Sequence, residues 1–317
     1  MSYAVLFPGQ GSQFVGMGAD LFSAYPDLLG DEAESVLGWS LQDLCLNGPE
    51  DRLTRTEHAQ PALYALSYAL WLSLRRAMST GPAGAAGHSL GEYTALAASE
   101  VIDFTSGLSL VANRGRAMAA AADIAPSGMA ALLGADVDTA VTVVAARQEI
   151  GGKLQIANIN APGQIVVAGG IEDIEWLSAA GKDLGVRRSI PLKVAGAFHS
   201  SFMQPAADEL RRVVAEVKFV DGDFPVWSNV TAAPHSAGEI EDLLVKQMTS
   251  PVRFTDTLIA MAGAGITMFV HVGPGDVTAG LVRRTLPEVE VVTVSDLDDI
   301  PPAVEALGTM GSAEETE

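Results

Sequence analysis

The sequence predicts an α/β protein: a larger domain on a parallel sheet, with a small antiparallel domain inserted into it. Three observations carry that prediction. Between residues 128 and 194 the apolar pattern runs strand, helix, strand, strand, helix, strand, the βαββαβ order of a ferredoxin-like unit. On either side, short apolar runs alternate with helical patterns, as in α/β folds. The 317 residues, 48% of them hydrophobic, are enough to bury about three quarters of the unfolded chain's surface.

The elements follow in order. Tyr3 to Phe7 is an apolar run of strand formers stopped by Pro8-Gly9. Pro61 to Met78 is apolar on nearly every face and holds Arg75-Arg76 near its end, cations suited to a helix C-terminus. Its most apolar part, residues 61–74, has 14 residues, short of the roughly 20 that a membrane span needs. Pro82 to Gly87 must be the strand entering the turn Gly87-His88-Ser89-Leu90-Gly91, although its glycines and alanines are poor strand formers. Helices follow over 92–99 and 103–122, with Asp103 as N-cap. The inserted unit then reads strand MAALLGA, helix VDTAVTVVAARQEI, strand KLQIANIN, turn APGQ, strand IVVAGG, helix EDIEWLSAAGKDLG and strand VRRSIPLKV. Boundaries fall near 127 and 194, giving a discontinuous large domain of residues 1–126 and 195–310 and a small one of 127–194. The remainder reads as helices over 206–216, 239–248 and 255–263, the strand Ile266 to Val272, a Gly273-Pro274-Gly275 turn, and a last helix and strand. Gly311 to Glu317, small or acidic, reads as a disordered tail.

Thirty-nine acidic against 19 basic residues give a formal net charge of −20. That charge repels phosphate backbones and anionic lipid surfaces, so neither nucleic acid nor a membrane is expected as partner. The single cysteine, Cys45, excludes an intrachain disulfide, and MSYAVLFPGQ has neither the basic region nor the apolar stretch of a signal peptide. A cytoplasmic monomer is expected.

Ser89 sits in a G-x-S-x-G. A serine hydroxyl is a weak nucleophile, so such chemistry needs a sharp strand-to-helix turn to expose Oγ, small neighbours to permit the turn, and a base. Gly87 and Gly91 supply the room, and the N–H of Leu90 opens the following helix toward a developing oxyanion. A purely structural turn is the other reading of the motif alone. His88, last in the strand, projects away from Oγ. No two of His58, His88, His199, His235 and His271 have a metal-ligand spacing, so no zinc site is expected. His271 lies in an apolar strand and reads as core, whereas His58 and His235 lie in polar, loop-like contexts and read as solvated. His199, in the small-residue loop GAFHSSFM at the second domain boundary, is either a functional residue or a loop histidine. FPGQGSQFVGMG has Phe14 where the third glycine of a dinucleotide fingerprint belongs, which argues against a Rossmann site. The segment presents Gln10, Gln13 and backbone N–H groups from a strand end.

Taken together, FPGQGSQ (7–13), QPAL (60–63), GHSLGE (87–92), NRGRAM (113–118), NINAPGQIVVAG (158–169), GAFHSSFM (196–203) and VGPGDVTAGL (272–281) resemble the malonyl-CoA:acyl carrier protein transacylases over nearly the whole chain. The resemblance implies an α/β hydrolase-like core with a ferredoxin-like insert. It implies Ser89 as nucleophile, His199 as its base, and the N–H groups of Gln10 and Leu90 as oxyanion hole. Arg114 would hold the malonyl carboxylate, its apolar surroundings favouring burial with an anion over solvation. Gln60, Asn158 and Asn160 match polar pocket positions, and Phe198 matches the bulky residue of malonyl-selective members. The family orients its histidine with a main-chain carbonyl from the segment matching Ser250-Pro251-Val252-Arg253-Phe254, so the acceptor is expected there. The implied reaction is ping-pong transfer from malonyl-CoA to the phosphopantetheine thiol of acyl carrier protein, in fatty acid or polyketide synthesis, with no cofactor or metal. An acyl-thioester hydrolase would share Ser89 and His199 without needing Arg114, and a methylmalonyl-selective transferase would differ only in the pocket. An acidic carrier requires a basic patch, for which Lys182, Arg187, Arg188 and Lys193 are candidates, with Arg211-Arg212 and Arg283-Arg284 elsewhere.

Overall fold

In the computed structural model, which describes residues 2–236 and 238–309, the chain opens with β1 (Tyr3–Phe7) and four short helices, α1 (Ala19–Ala24), α2 (Ala33–Leu37), α3 (Leu41–Asn47) and α4 (Glu50–Leu53). The long α5 (Thr56–Ala77), β2 (Gly84–Gly87), α6 (Gly91–Ala98) and α7 (Phe104–Ile124) follow. Next come β3 (Ser127–Leu133), α8 (Val137–Glu149), β4 (Gln155–Ala161), β5 (Gln164–Gly170), α9 (Ile171–Ala180) and β6 (Arg188–Pro191). The chain continues through α10 (Gln204–Val214), α11 (Ile240–Gln247), α12 (Phe254–Gly263), β7 (Met268–Val272), α13 (Val277–Thr285), β8 (Glu290–Val294) and α14 (Ile300–Thr309).

Two sheets result: a parallel one in the order β2-β1-β7-β8, and an antiparallel one in the order β4-β5-β3-β6. The parallel strand β1 is buried along its whole length, as a strand covered on both faces must be. Its side chains alternate: Tyr3, Val5 and Phe7 enter the main core with α5 and α7, while Ala4 and Leu6 enter a second core with Phe254, Leu258 and Phe269. The antiparallel sheet has a third core of its own, centred on Ala130, Leu132, Ile165 and Val167. Its opposite face, with Met129, Val166 and Ala168, joins the main core.

The poor strand former Gly84-Ala85-Ala86-Gly87 is a strand because side chains have no room there. A Cβ on Gly84 would lie 2.4 Å from the Trp227 ring, and one on Gly87 would lie 1.9 Å from the backbone of Gly91. Packing overrides propensity here. The long helix begins at Thr56 rather than Pro61, carrying Pro61 inside it. The helices α1 to α4 and α14 had no counterpart in the sequence reading. The tail from Gly311 lies outside the described residues. Among the described residues no helix is long and apolar enough to cross a membrane.

Candidate active site

The carboxyl ends of β1 and β2 lie side by side, Phe7 paired with Gly87, which is where parallel α/β sheets place their sites. From β2 the chain turns into α6 through His88 and Ser89, and Ser89 takes a left-handed φ of 51°, a conformation uncommon for a residue with a side chain. The turn is braced from outside. Asn229 Oδ1 accepts from the Ser89 N–H at 2.7 Å, and Asn229 Nδ2 donates to the Gly87 carbonyl at 2.7 Å. The Ser89 carbonyl accepts from Gln247 Nε2 at 3.0 Å. Both glycines of the motif are required: a Cβ on Gly91 would meet the Phe7 carbonyl oxygen at 2.3 Å.

Ser89 Oγ and His199 Nε2 are 2.7 Å apart, across 110 residues of chain. His199 is 4% exposed and also left-handed, at φ 57°. Its Nδ1 lies 2.8 Å from the main-chain oxygen of Gln247. A carbonyl only accepts, so Nδ1 carries the hydrogen and Nε2 is left to accept from Ser89 Oγ. Burial and the nearby Arg114 cation lower the His199 pKa to about 3, the Gln247 bond partly opposing them. The imidazole is neutral at neutral pH. The orienting carbonyl belongs to Gln247, at the end of α11, and not to the segment 250–254 expected from the sequence. Val252 there spends its N–H on the Ala157 carbonyl and its own carbonyl on the Ile159 N–H, tying the segment between α11 and α12 to β4.

Arg114 is 0% exposed. Its Nη1 donates to Gln60 Oε1 at 2.7 Å, and its Nη2 to Ser89 Oγ at 3.0 Å and Gln247 Oε1 at 2.9 Å. Its Cζ lies 5.4 Å from the centre of the Tyr93 ring. Burial lowers its pKa, against the opposing influence of Tyr93 and Glu92, without neutralising a guanidinium. All its acceptors are neutral.

A cavity of about 170 Å³ opens onto these groups. Gln10, Gln60, His88, Asn158, Asn160 and Phe198 all line it, with Met118, Met129, Val166, Leu192 and Val194 as apolar wall. The structure thus brings together every site residue read from the sequence. The N–H groups of Gln10 and Leu90 make no hydrogen bond among the described residues. His88 does not touch Oγ; its Nε2 donates to Asn160 Oδ1 at 2.7 Å and its ring packs on Phe254. A serine hydroxyl, a neutral imidazole bonded to it, two residues whose N–H groups are free, and a buried guanidinium all line one cavity, an arrangement suited to acyl transfer through a serine ester.

The acyl transferase domain family matches residues 5–310. The chain belongs to that family, among its malonyl CoA-acyl carrier protein transacylases. This acyl transferase is 40% identical over 307 residues to the malonyl CoA-acyl carrier protein transacylase of Bacillus subtilis (strain 168), covering 96% of each chain. It is 41% identical over 286 residues to the polyketide biosynthesis protein ThaF of Burkholderia thailandensis, covering 90% of this chain and 24% of that larger one. Among solved structures it superposes with a TM-score of 0.91 on the malonyl-transacylase PlMCAT, solved with the type II PKS acyl-carrier protein AntF, at 37% identity and covering 96% and 100% of the two chains.

Four residues of the acyl transferase's site escaped the sequence reading: Asn229, Gln247, Glu92 and His235. Gln247 carried a usable signal. On α11 the buried positions are Ile240, Leu244, Val245 and Gln247, so a glutamine occupies the apolar stripe at i+7. His235 is no solvated loop residue: its ring is 3% exposed and meets Glu92 Oε1 at 2.7 Å. Nor is His58 in a loop, since it lies in the first turn of α5, half-buried against Trp39. His271 is core, as expected, held by Thr278 and the Gly273 carbonyl.

Proposed function

We propose that this acyl transferase moves a malonyl group from malonyl-CoA to the phosphopantetheine thiol of an acyl carrier protein, through a malonyl ester on Ser89. The observation that carries the reading is Arg114, a fully buried guanidinium 3.0 Å from the nucleophilic oxygen and bonded only to neutral acceptors. A buried cation of this kind matches an acyl group that ends in a carboxylate. A hydrolase of simple thioesters has no use for it.

In the first half-reaction Ser89 Oγ attacks the thioester carbonyl while His199 Nε2 takes its proton. The oxyanion sits against the N–H groups of Gln10 and Leu90. Collapse breaks the C–S bond, and His199 returns the proton to the departing CoA sulfur. In the second half the carrier's thiol gives its proton to His199 and attacks the ester carbonyl, and Ser89 leaves with that proton. Neither half calls for a cofactor. Gln60 holds Arg114 from one side, Asn158 and Asn160 line the acyl pocket, and the Phe198 ring leaves little space for a 2-methyl branch, a modest discrimination.

The same reading assigns an α/β hydrolase-like large domain to residues 1–126 and 195–310, and a ferredoxin-like small domain to 127–194. The order β4-β5-β3-β6 and the separate core of that unit support it. Arg187, Arg188 and Lys193 are exposed at and beside β6, flanking the cavity residues Leu192 and Val194, and form the docking patch for an acidic carrier on a chain of net charge −20. The enzyme works as a cytoplasmic monomer.

Intact-protein mass spectrometry after brief incubation with malonyl-CoA or acetyl-CoA tests the assignment. Wild type gains a malonyl adduct, Ser89→Ala gains none, and Arg114→Ala shifts its preference toward acetyl. Steady CoA release by wild type with no adduct and no carrier protein would instead identify a hydrolase.

A further inference from the structure

Glu92 closes the GHSLGE motif, yet the cycle above gives it nothing to do. It is wholly buried, and three donors converge on its carboxylate. His235 Nε2 reaches Oε1 at 2.7 Å, while Gln247 Nε2 and the Asn229 N–H reach Oε2 at 2.6 Å and 3.1 Å. Gln247 joins this cluster to the reacting groups. Its Nε2 also donates to the Ser89 carbonyl, its Oε1 accepts from Arg114, and its main-chain oxygen accepts from His199.

The two ends of a primary amide are nearly the same size, so hydrogen-bond partners alone decide which way round it sits. Glu92 Oε2 and the Ser89 carbonyl are both acceptors, and the charged one is the stronger. Together they admit only the NH₂ end. The oxygen end is thereby turned to Arg114, which can only donate.

We propose that Glu92 is a positioning residue for malonyl recognition: its carboxylate locks the Gln247 amide with Oε1 toward Arg114, and so fixes the guanidinium beside Ser89. The inference rests on the malonyl-transfer reading, because the orientation of Arg114 matters to a donor with a distal carboxylate and little to one without. Glutamine at position 92 fills the same space but presents an amide that fits either way, which removes the charged acceptor and leaves only the Ser89 carbonyl and Arg114 to orient the Gln247 amide. His235 holds the carboxylate from the side away from the acyl cavity, lining a separate small cavity with Val220 and Pro225.

The test is steady-state kinetics of Glu92→Gln and His235→Gln with malonyl-CoA and acetyl-CoA, beside thermal melts and wild type. The ratio of the two kcat/KM values is expected to fall about tenfold in Glu92→Gln, the scale of one charge-assisted hydrogen bond, through a raised KM for malonyl-CoA. In His235→Gln the ratio falls in the same direction by a smaller factor. A folded Glu92→Gln with the wild-type ratio, or with equal losses for both donors, overturns the proposal. If Glu92→Gln does not fold, His235→Gln decides on the same ratio. A wild type that accepts no malonyl group overturns the transfer reading and this inference with it; a wild type that does, with unchanged ratios in the variants, overturns this inference alone.

Discussion

His199 donates its Nδ1–H to the main-chain oxygen of Gln247 at 2.8 Å. The base of the Ser89 pair is therefore oriented by a peptide group and not by a carboxylate. A neutral acceptor sets the tautomer as well as an anion does, but stabilises an imidazolium less. Arg114, meanwhile, bears on the ring from the other direction.

That balance predicts the pH dependence. The free enzyme's His199 is held at about 3, below the ordinary 6.5, so the active neutral form persists as pH falls through 6.5. The acidic limb of kcat/KM should lie well below 6.5. Once a malonyl carboxylate offsets Arg114, the base strengthens, so the limb of kcat should lie above that of kcat/KM. Rapid-quench acylation between about pH 4 and 8 checks this: kcat/KM should stay level as pH falls through 6.5, and any acidic fall should appear first in kcat. A kcat/KM limb near 6.5 would sink the account.

Asn229→Ala removes the brace on the Ser89 turn. The Ser89 N–H and the Gly87 carbonyl lose their partner, at about 1–3 kcal/mol for each buried group left unpaired. The released φ moves Oγ, so kcat should fall at least tenfold while KM for malonyl-CoA changes little. A melting curve together with single-turnover acylation separates the two effects, and a variant of wild-type kcat would show the brace to be dispensable.

Gly91→Ala places a Cβ 2.3 Å from one backbone oxygen and 2.8 Å from another. Neither can yield as a side-chain tip would, so a loss of about 3 kcal/mol or more is expected, with acylation abolished. Gly128→Ala in β3 is the control, because its Cβ would meet nothing closer than 3.8 Å. Differential scanning calorimetry of the pair should show a large fall in Tm for the first and almost none for the second.

Reversing Arg187 and Arg188 to glutamate should raise KM for acyl carrier protein several-fold, more at low ionic strength, and leave KM for malonyl-CoA untouched. Initial rates at varied carrier concentration measure this. An unchanged KM would remove the patch from the docking surface.

Motif residues were legible in the sequence because glycine, serine and histidine in a strand-turn-helix context carry their own chemistry. Ser89 and the βαββαβ order can be read that way, whereas the roles of His199 and Arg114 follow only from the resemblance to the transacylases. The partners behind them could not. Asn229 sits in an irregular segment, and the role of Gln247 depends on α11 packing against a turn 158 residues away in sequence. The polar neighbours of His235 suggest surface, whereas a buried carboxylate 143 residues away draws its ring inward. The orienting carbonyl is hidden from the sequence for a related reason: any peptide oxygen can serve, so side-chain identity does not mark it. β2 shows the converse, since its composition argues against a strand that the surrounding packing enforces.

The acyl cavity has walls of two origins. Ser89 and Gln10 stand at strand ends of the parallel sheet, whereas Met129, Asn158, Asn160 and Val166 come from the antiparallel unit. Arg114, Gln60 and Phe198 share their stretches of chain with Ser89 and His199, whereas one wall of the cavity comes from a separate stretch, joined to the rest where Asn158 meets Val252. In such an arrangement mutations across residues 127–194 can reshape what the enzyme accepts while the nucleophile and its base stay in register, so diversification of acyl choice has a route that does not pass through loss of turnover.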